Sequence, residues 1–267
     1  MIGIGAHSKN HGSGTPDEVL GFIHKLDYEY VDVTSDTFSV ERAVENPKAA
    51  AEESRALLEK YELNPSEYLP GPVKIDGKSY MPSMLESAML NKACSYFDKV
   101  CSYAKKAGFT SIKGGAGDTL PELGYEKIRE RTIKVLPRLV QVALDNGLAY
   151  NIEPSQHSEM FNTPQKALSM AEAVPGLTFT LDMLHYVSKG FSTDECLRLL
   201  LKYTNHVHAR QSAHGYGKCP YEFGEVDYDM MIKRMRGMRW SGVLAIEWWV
   251  SEARENERGR PRRSYAI

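Results

Sequence analysis

The chain has 267 residues, 42% hydrophobic and 25% charged, a composition that excludes a disordered polypeptide and provides for one large core or two small ones. Its formal net charge of −2 excludes a global basic field that would draw it to nucleic acid or anionic membranes. No apolar run approaches the ~20 residues of a membrane span, and the start MIGIGAHSKNHG lacks the charged-then-apolar plan of a signal peptide, so a cytoplasmic protein is expected.

In chain order, IGIGAH at 2–7 reads as a buried strand closing on His7, and YEYVDVT at 28–34 as a second. A helical pattern follows at 47–61, with apolar residues recurring at three and four, then a strand, LNPSEYL, at 63–69. The helix at 90–107 leads to FTSIKGG at 109–115, where Lys113 ends the strand. The helix at 125–146 leads to LAYNIE at 148–153, and the one at 164–173 to LTFTLD at 177–182. Helical patterns at 193–203 and 228–238 precede the last two strands, HVHAR at 206–210 and VLAIEWW at 243–249. Gly108, Gly147 and Gly176 stand where helices give way to strands, as left-handed caps do.

Alternating strands and helices imply a parallel sheet with right-handed crossovers, and eight units allow closure into an α/β (β/α)₈ TIM barrel, in a single domain. An open doubly wound sheet is the alternative, but Gly3, Gly5, Gly12 and Gly14 lack the dinucleotide spacing. KGGAGD at 113–118 lacks the ending of a phosphate loop and reads as a tight turn. The barrel is expected over residues 1–250, with 251–267 a polar, arginine-rich extension. Cys94, Cys101, Cys196 and Cys219 show no CxxC spacing and are expected to be free, mostly buried thiols.

The informative polar residues sit at strand ends: Glu153 on the fifth, Asp182 on the sixth, His208 late in the seventh, Glu247 late in the eighth. In a barrel these ends converge on the face that carries the chemistry, making one potential ligand set. Any one of them alone is as well explained by a buried ion pair or a capped strand end; all four on consecutive strands are not. Three carboxylates and an imidazole suit one hard divalent cation, with manganese expected first and magnesium, cobalt or zinc as alternatives.

NIEPS, LDMLHYVSKG, HVHAR with the following GEVDY, and VLAIEWW together resemble the xylose isomerase-like barrel superfamily of sugar isomerases and epimerases, over nearly the whole chain. The resemblance implies Glu153, Asp182, His208 and Glu247 as metal ligands, and Glu153 and Glu247 as the acid/base pair of ketose 3-epimerases. It further implies substrate contacts at His185, three residues after Asp182, and at Glu159, six after Glu153, where a surface position or a competing His157 is an equal reading. A homo-oligomer acting on a small sugar or sugar derivative is the implied assembly, with neither membrane nor nucleic acid as partner.

The chain departs from the family where relatives continue the seventh strand as His-x-His-x-Lys-Asp, since here His206, Val207 and His208 are followed by Ala209, Arg210 and Gln211. His214 stands where the epimerases have a substrate arginine. Arg210 is therefore expected either to bind an anionic group or to pair with a neighbour. His206 shares a face with His208, two residues along the strand. His7 and Lys113 are candidate substrate contacts by position, although a strand-end lysine is often only solvated. Phe38, Trp248 and Trp249 are expected to pack in the core rather than to wall a sugar site. An epimerase, a metal-dependent lyase or dehydratase on a keto-sugar, and, last, an apurinic-site endonuclease are the activities compatible with this set.

Overall fold

The computed structural model describes residues 1–115 and 123–248. Trp249, residues 116–118 of the glycine-rich turn and the arginine-rich extension lie outside the described residues. Among the described residues ten strands are formed: β1 Ile2–His7, β2 Tyr30–Thr34, β3 Asn64–Leu69, β4 Val73–Ile75, β5 Lys78–Tyr80, β6 Ser111–Gly114, β7 Ala149–Ile152, β8 Leu177–Asp182, β9 Thr204–Ala209 and β10 Gly242–Ile246. Eight of them close a barrel in the order β1-β10-β9-β8-β7-β6-β3-β2, and every pairing in it is parallel. The expected (β/α)₈ barrel is thus the observed fold.

The helices are α1 Pro16–Lys25, α2 Val40–Glu45, α3 Pro47–Lys60, α4 Leu90–Ala107, α5 Gly124–Asp145, α6 Pro164–Ala173, α7 Leu184–Val187, α8 Thr193–Leu200 and α9 Tyr228–Gly237. Their starts are set by local chemistry. Thr15 and Glu18 form a reciprocal capping box on α1, and Ser192 accepts from the Glu195 N–H at the start of α8. At its other end, α4 stops at Gly108 in the left-handed region, φ 100°, turning the chain back into the barrel. Among the described residues, no helix is long and apolar enough to cross a membrane.

β4 and β5 are not barrel strands. They form an antiparallel hairpin after β3, turned by Asp76 and Gly77 at φ 50° and 77°, the paired positive φ values a two-residue hairpin loop requires.

Strand alternation sorts the barrel into two regions. Val31, Val33, Ile112, Leu181, Val207 and Leu244 join the buried cluster that includes Phe97 and Val100 of α4 and Leu136 of α5. Phe38 belongs to this cluster too, so it is core, as expected. The alternate positions, Asp32, Glu67, Ser111, Asn151, Thr180, His206 and His208, are buried as well and bond to one another, which gives the barrel an unusually polar interior. Burying this many polar groups is tolerable only because they pair, and this layer is the floor of the site. All four cysteines are buried free thiols, as their spacing predicts.

Candidate active site

Register places the polar strand ends at one height. Asp182, the last residue of β8, and Ala245 of β10 both stand opposite His208 of β9. Glu153 and Glu247 each lie one residue beyond their strand, and the Glu247 N–H still bonds the Ala209 carbonyl at 3.1 Å, extending the ladder. Trp248 is anchored next to it, its N–H donating to Asn10 Oδ1 at 2.7 Å.

His208 is the centre of the cluster and is wholly buried. Its Nδ1 lies 3.0 Å from Glu153 Oε1 and 3.1 Å from Glu247 Oε2. Burial opposes a proton on this ring, but Glu247 and Glu153 overcome it and hold its pKa well above the usual histidine range. Asp182 is tied on both oxygens: Oδ1 accepts the Leu184 N–H at 2.8 Å, and Oδ2 takes the guanidinium of Arg210 through both Nε and Nη2. Lys113 Nζ donates to Glu153 Oε2 at 2.6 Å. Burial works against ionisation of Glu153, yet Lys113 and then His208 keep its pKa well below the carboxylate range. Glu247 behaves likewise, lowered against burial chiefly by His208. His185 stands at the edge, Nε2 3.8 Å from Asp182 Oδ2 and 3.9 Å from Glu153 Oε1, with its pKa lowered by burial. Thus Glu153, Asp182, His208, Glu247, His185, Arg210 and Lys113, all singled out from sequence, are brought together.

Beneath them lies a layer whose carboxylates the sequence reading passed over. Asp32 of β2 and Glu67 of β3 are each 0% exposed. His206 Nε2 meets Asp32 Oδ2 at 2.7 Å, and His208 Nε2 approaches the same oxygen at 3.4 Å. Ser66 Oγ and the Glu67 N–H both donate to Asp32 Oδ1. A register shift between β2 and β3 allows this: Val31 faces Pro65 while Val33 faces Tyr68, so Ser66 and Glu67 share the space opposite Asp32. Glu67 Oε1 collects Asn151, Thr180 and Ser111 at 2.6, 2.7 and 3.4 Å. The signal was available in the sequence as one carboxylate inside each of two otherwise uncharged strand runs, VDV and PSEYL, since Asp and Glu are rarely buried unless paired.

His7 sits edge-on to His208 with ring centroids 5.3 Å apart, and its Nδ1 accepts the Lys9 N–H at 3.1 Å, which leaves the proton on Nε2. Burial drives its pKa from 6.5 down to about 3, against a smaller pull from Glu247. Between those two values the unfolded chain binds more protons than the folded one, so stability is lost as pH falls through the unfolded pKa. From pH 7 to pH 5 the loss from this residue is about 2 kcal/mol. His7→Gln should remove it, flattening the acid side of the stability profile by that amount in urea titrations; a slope like that of wild type would show that His7 is not held neutral.

The remaining candidates lie apart. Glu159 is half-buried in the turn after β7 and belongs to none of the groups able to hold a metal, and His157 is exposed beside Gln156. Gln211 is used structurally, bonding the N–H and carbonyl of Val226 at 3.1 and 3.0 Å. His214, exposed, lines an outer cavity of about 440 Å³ with Phe191, Asp194 and Glu225, away from the carboxylate cluster.

Three groups among the described residues have the spacing to hold a metal ion: Glu153, His208 and Glu247; Glu153, Asp182 and His185; and, lower in the barrel, Asp32, His206 and His208. The first two share Glu153 and between them contain the four expected ligands. Hard oxygen donors with one imidazole, the imidazole backed on its far nitrogen by Asp32, are a donor set that fits a divalent cation.

A family model described as a xylose isomerase-like TIM barrel matches residues 10–264. No curated protein matches the sequence. Among solved structures, the 3-keto-D-glucoside 4-epimerase YcjR from E. coli superposes with a TM-score of 0.73 at 16% identity, covering 97% of this chain and 98% of its own. The D-psicose 3-epimerase from Clostridium cellulolyticum, solved with D-tagatose, gives 0.75 at 14% identity, covering 93% and 86%. The probable 3-DHS dehydratase AsbF from Bacillus anthracis gives 0.70 at 14% identity, covering 96% and 95%. At these identities the likeness is one of fold.

Proposed function

The chain belongs to the xylose isomerase-like TIM-barrel family, and from that premise we propose that it is a divalent-metal-dependent sugar isomerase or epimerase, with Glu153, Asp182, His208 and Glu247 as metal ligands. One observation carries the reading: three carboxylates converge with the buried His208 at the strand ends, with Glu153 and Glu247 both within 3.1 Å of its Nδ1. Sugar epimerases among the structural neighbours agree with it. Manganese is the first candidate, with magnesium, cobalt and zinc as alternatives.

A divalent cation held by these residues would supply Lewis acidity to a substrate carbonyl and so acidify the adjacent C–H. The chain's own groups then move the proton. Glu153 and Glu247 are both held ionised, so either can take a proton from the carbon beside the carbonyl. For the other to return a proton to the opposite face, it must first receive one from solvent. Lys113 fixes Glu153 by its Oε2, leaving Oε1 toward His208 and Arg210. His185 closes the edge of the cluster, where it would contact a substrate hydroxyl.

Ketoses incubated with the manganese-loaded protein in deuterated water should therefore gain deuterium at the carbon beside the carbonyl, seen by NMR. Absence of exchange across a broad panel of ketoses and keto-glycosides would sink the reading.

A second reading, elimination of a β-oxygen from the same carbanion, draws on His185. Its Nδ1 is buried with no hydrogen-bond partner among the described residues, a placement suited to a hydrogen bond with a leaving oxygen. Product mass separates the two, since epimerisation conserves it and dehydration loses one water.

A further inference from the structure

We propose that Arg210 and the metal ion compete for the same carboxylate oxygens, so that this residue sets how tightly the site holds its cation. The inference rests on the metal reading above and concerns a position where the chain departs from its family.

Arg210 lies across the ligand set. Its Nε and Nη2 both bond Asp182 Oδ2, its Nη1 is 3.3 Å from Glu247 Oε1, and its Nη2 is 3.6 Å from Glu153 Oε1. One guanidinium thus reaches all three carboxylates proposed as ligands, while His208, the fourth ligand, reaches two of the same three.

The competition is sharpest at Asp182. A carboxylate oxygen has two lone pairs, and Oδ2 spends both on the guanidinium, while Oδ1 is held by the Leu184 N–H. A cation approaching Oδ2 must displace at least one N–H. It also meets a full positive charge a few ångströms away in a buried site, where screening is weak.

The backbone does not yield to relieve this. The Arg210 carbonyl accepts the Tyr228 hydroxyl at 2.9 Å, the Ala209 carbonyl accepts the Glu247 N–H, and the Gln211 side chain is locked on both sides to Val226. Adjustment therefore falls to the Arg210 side chain, whose guanidinium must swing off Asp182. A lysine cannot fork across two acceptors in this way, so its ammonium leaves one of these oxygens open to the ion.

The test is manganese binding to the full-length chain stripped with chelator, followed by calorimetry and by electron paramagnetic resonance of the free ion. Arg210→Met keeps the aliphatic stem and removes the charge; it should bind one manganese at least about tenfold tighter than wild type, with Arg210→Lys between them. A gain in Arg210→Met, including binding where wild type shows none, supports the inference. If wild type binds one manganese and Arg210→Met binds it no tighter, the inference is overturned and the metal reading stands. If neither binds up to millimolar manganese, the metal reading fails and the inference with it. Should Arg210→Met not fold by circular dichroism, Arg210→Lys decides alone: tighter binding supports, unchanged or weaker binding overturns.

Discussion

Replacing Glu247 with Gln is expected to lower the rate of solvent-hydrogen exchange into substrate by about 10³-fold, within the range of 10²–10⁴ that positioned acid/base groups supply. The amide is nearly isosteric, and the main-chain bond from residue 247 to Ala209 does not involve the side chain, so the strand end should keep its place. What is lost is a carboxylate that His208 holds ionised against burial, the form required of a base. Manganese titration of the same variant divides its two proposed roles. If exchange is lost while the ion still binds, Glu247 acts chiefly on the proton; if both go, it acts chiefly as ligand. A variant retaining more than a tenth of wild-type exchange would remove Glu247 from the reaction.

The second large effect is expected at Asp32. Asp32→Ala should cost about 3–5 kcal/mol of stability, because it removes a buried carboxylate on which two imidazoles, a hydroxyl and a backbone N–H converge and leaves those groups without their acceptor. His206 loses a contact of 2.7 Å, His208 one of 3.4 Å, and Ser66 Oγ and the Glu67 N–H lose their shared acceptor. Asp32→Asn is the milder probe. It keeps the volume but weakens the hold on His208 Nε2, the nitrogen opposite the one facing Glu153 and Glu247. Loss of such a backing carboxylate typically weakens metal affinity by about 10–100-fold. Chemical denaturation of Asp32→Ala and manganese titration of Asp32→Asn read the two effects separately. Unchanged affinity in Asp32→Asn would reduce Asp32 to a purely structural residue.

The two residues lie in different layers, so one substitution is read in the reaction and the other in stability. Glu247 lies beyond the end of its strand beside Arg210 and His208, and a glutamine there keeps the volume and one carbonyl oxygen. Asp32 is in the floor, where the groups around it direct their hydrogen bonds at its two oxygens.

The barrel strands were legible because their information is local. Short β-branched and aromatic runs between helical periods marked all eight, and Gly108, Gly147 and Gly176 do occupy the left-handed region at φ 100°, 70° and 82°. Two local signals went unread although present: the Thr15 to Glu18 capping box that starts α1, and the Asp76-Gly77 turn that makes the β4–β5 hairpin. Glu153, Asp182, His208 and Glu247 could be grouped from sequence because the C-terminal ends of barrel strands converge on one face.

What sequence could not yield is how these groups meet. Asp32 reaches Ser66 and Glu67 because β2 and β3 slip in register, and such a slip depends on the closure of the whole barrel rather than on either strand. Arg210 could equally have faced a substrate anion or a neighbour by sequence; it lies against Asp182, Glu153 and Glu247 because barrel closure brings strand ends from distant parts of the chain within reach of one guanidinium. Chain order determined which chemical groups arrive at the rim, since strand alternation is a property of the backbone. Which oxygen each group takes was decided only by the tertiary structure, since buried charges settle on the partners that best replace lost water.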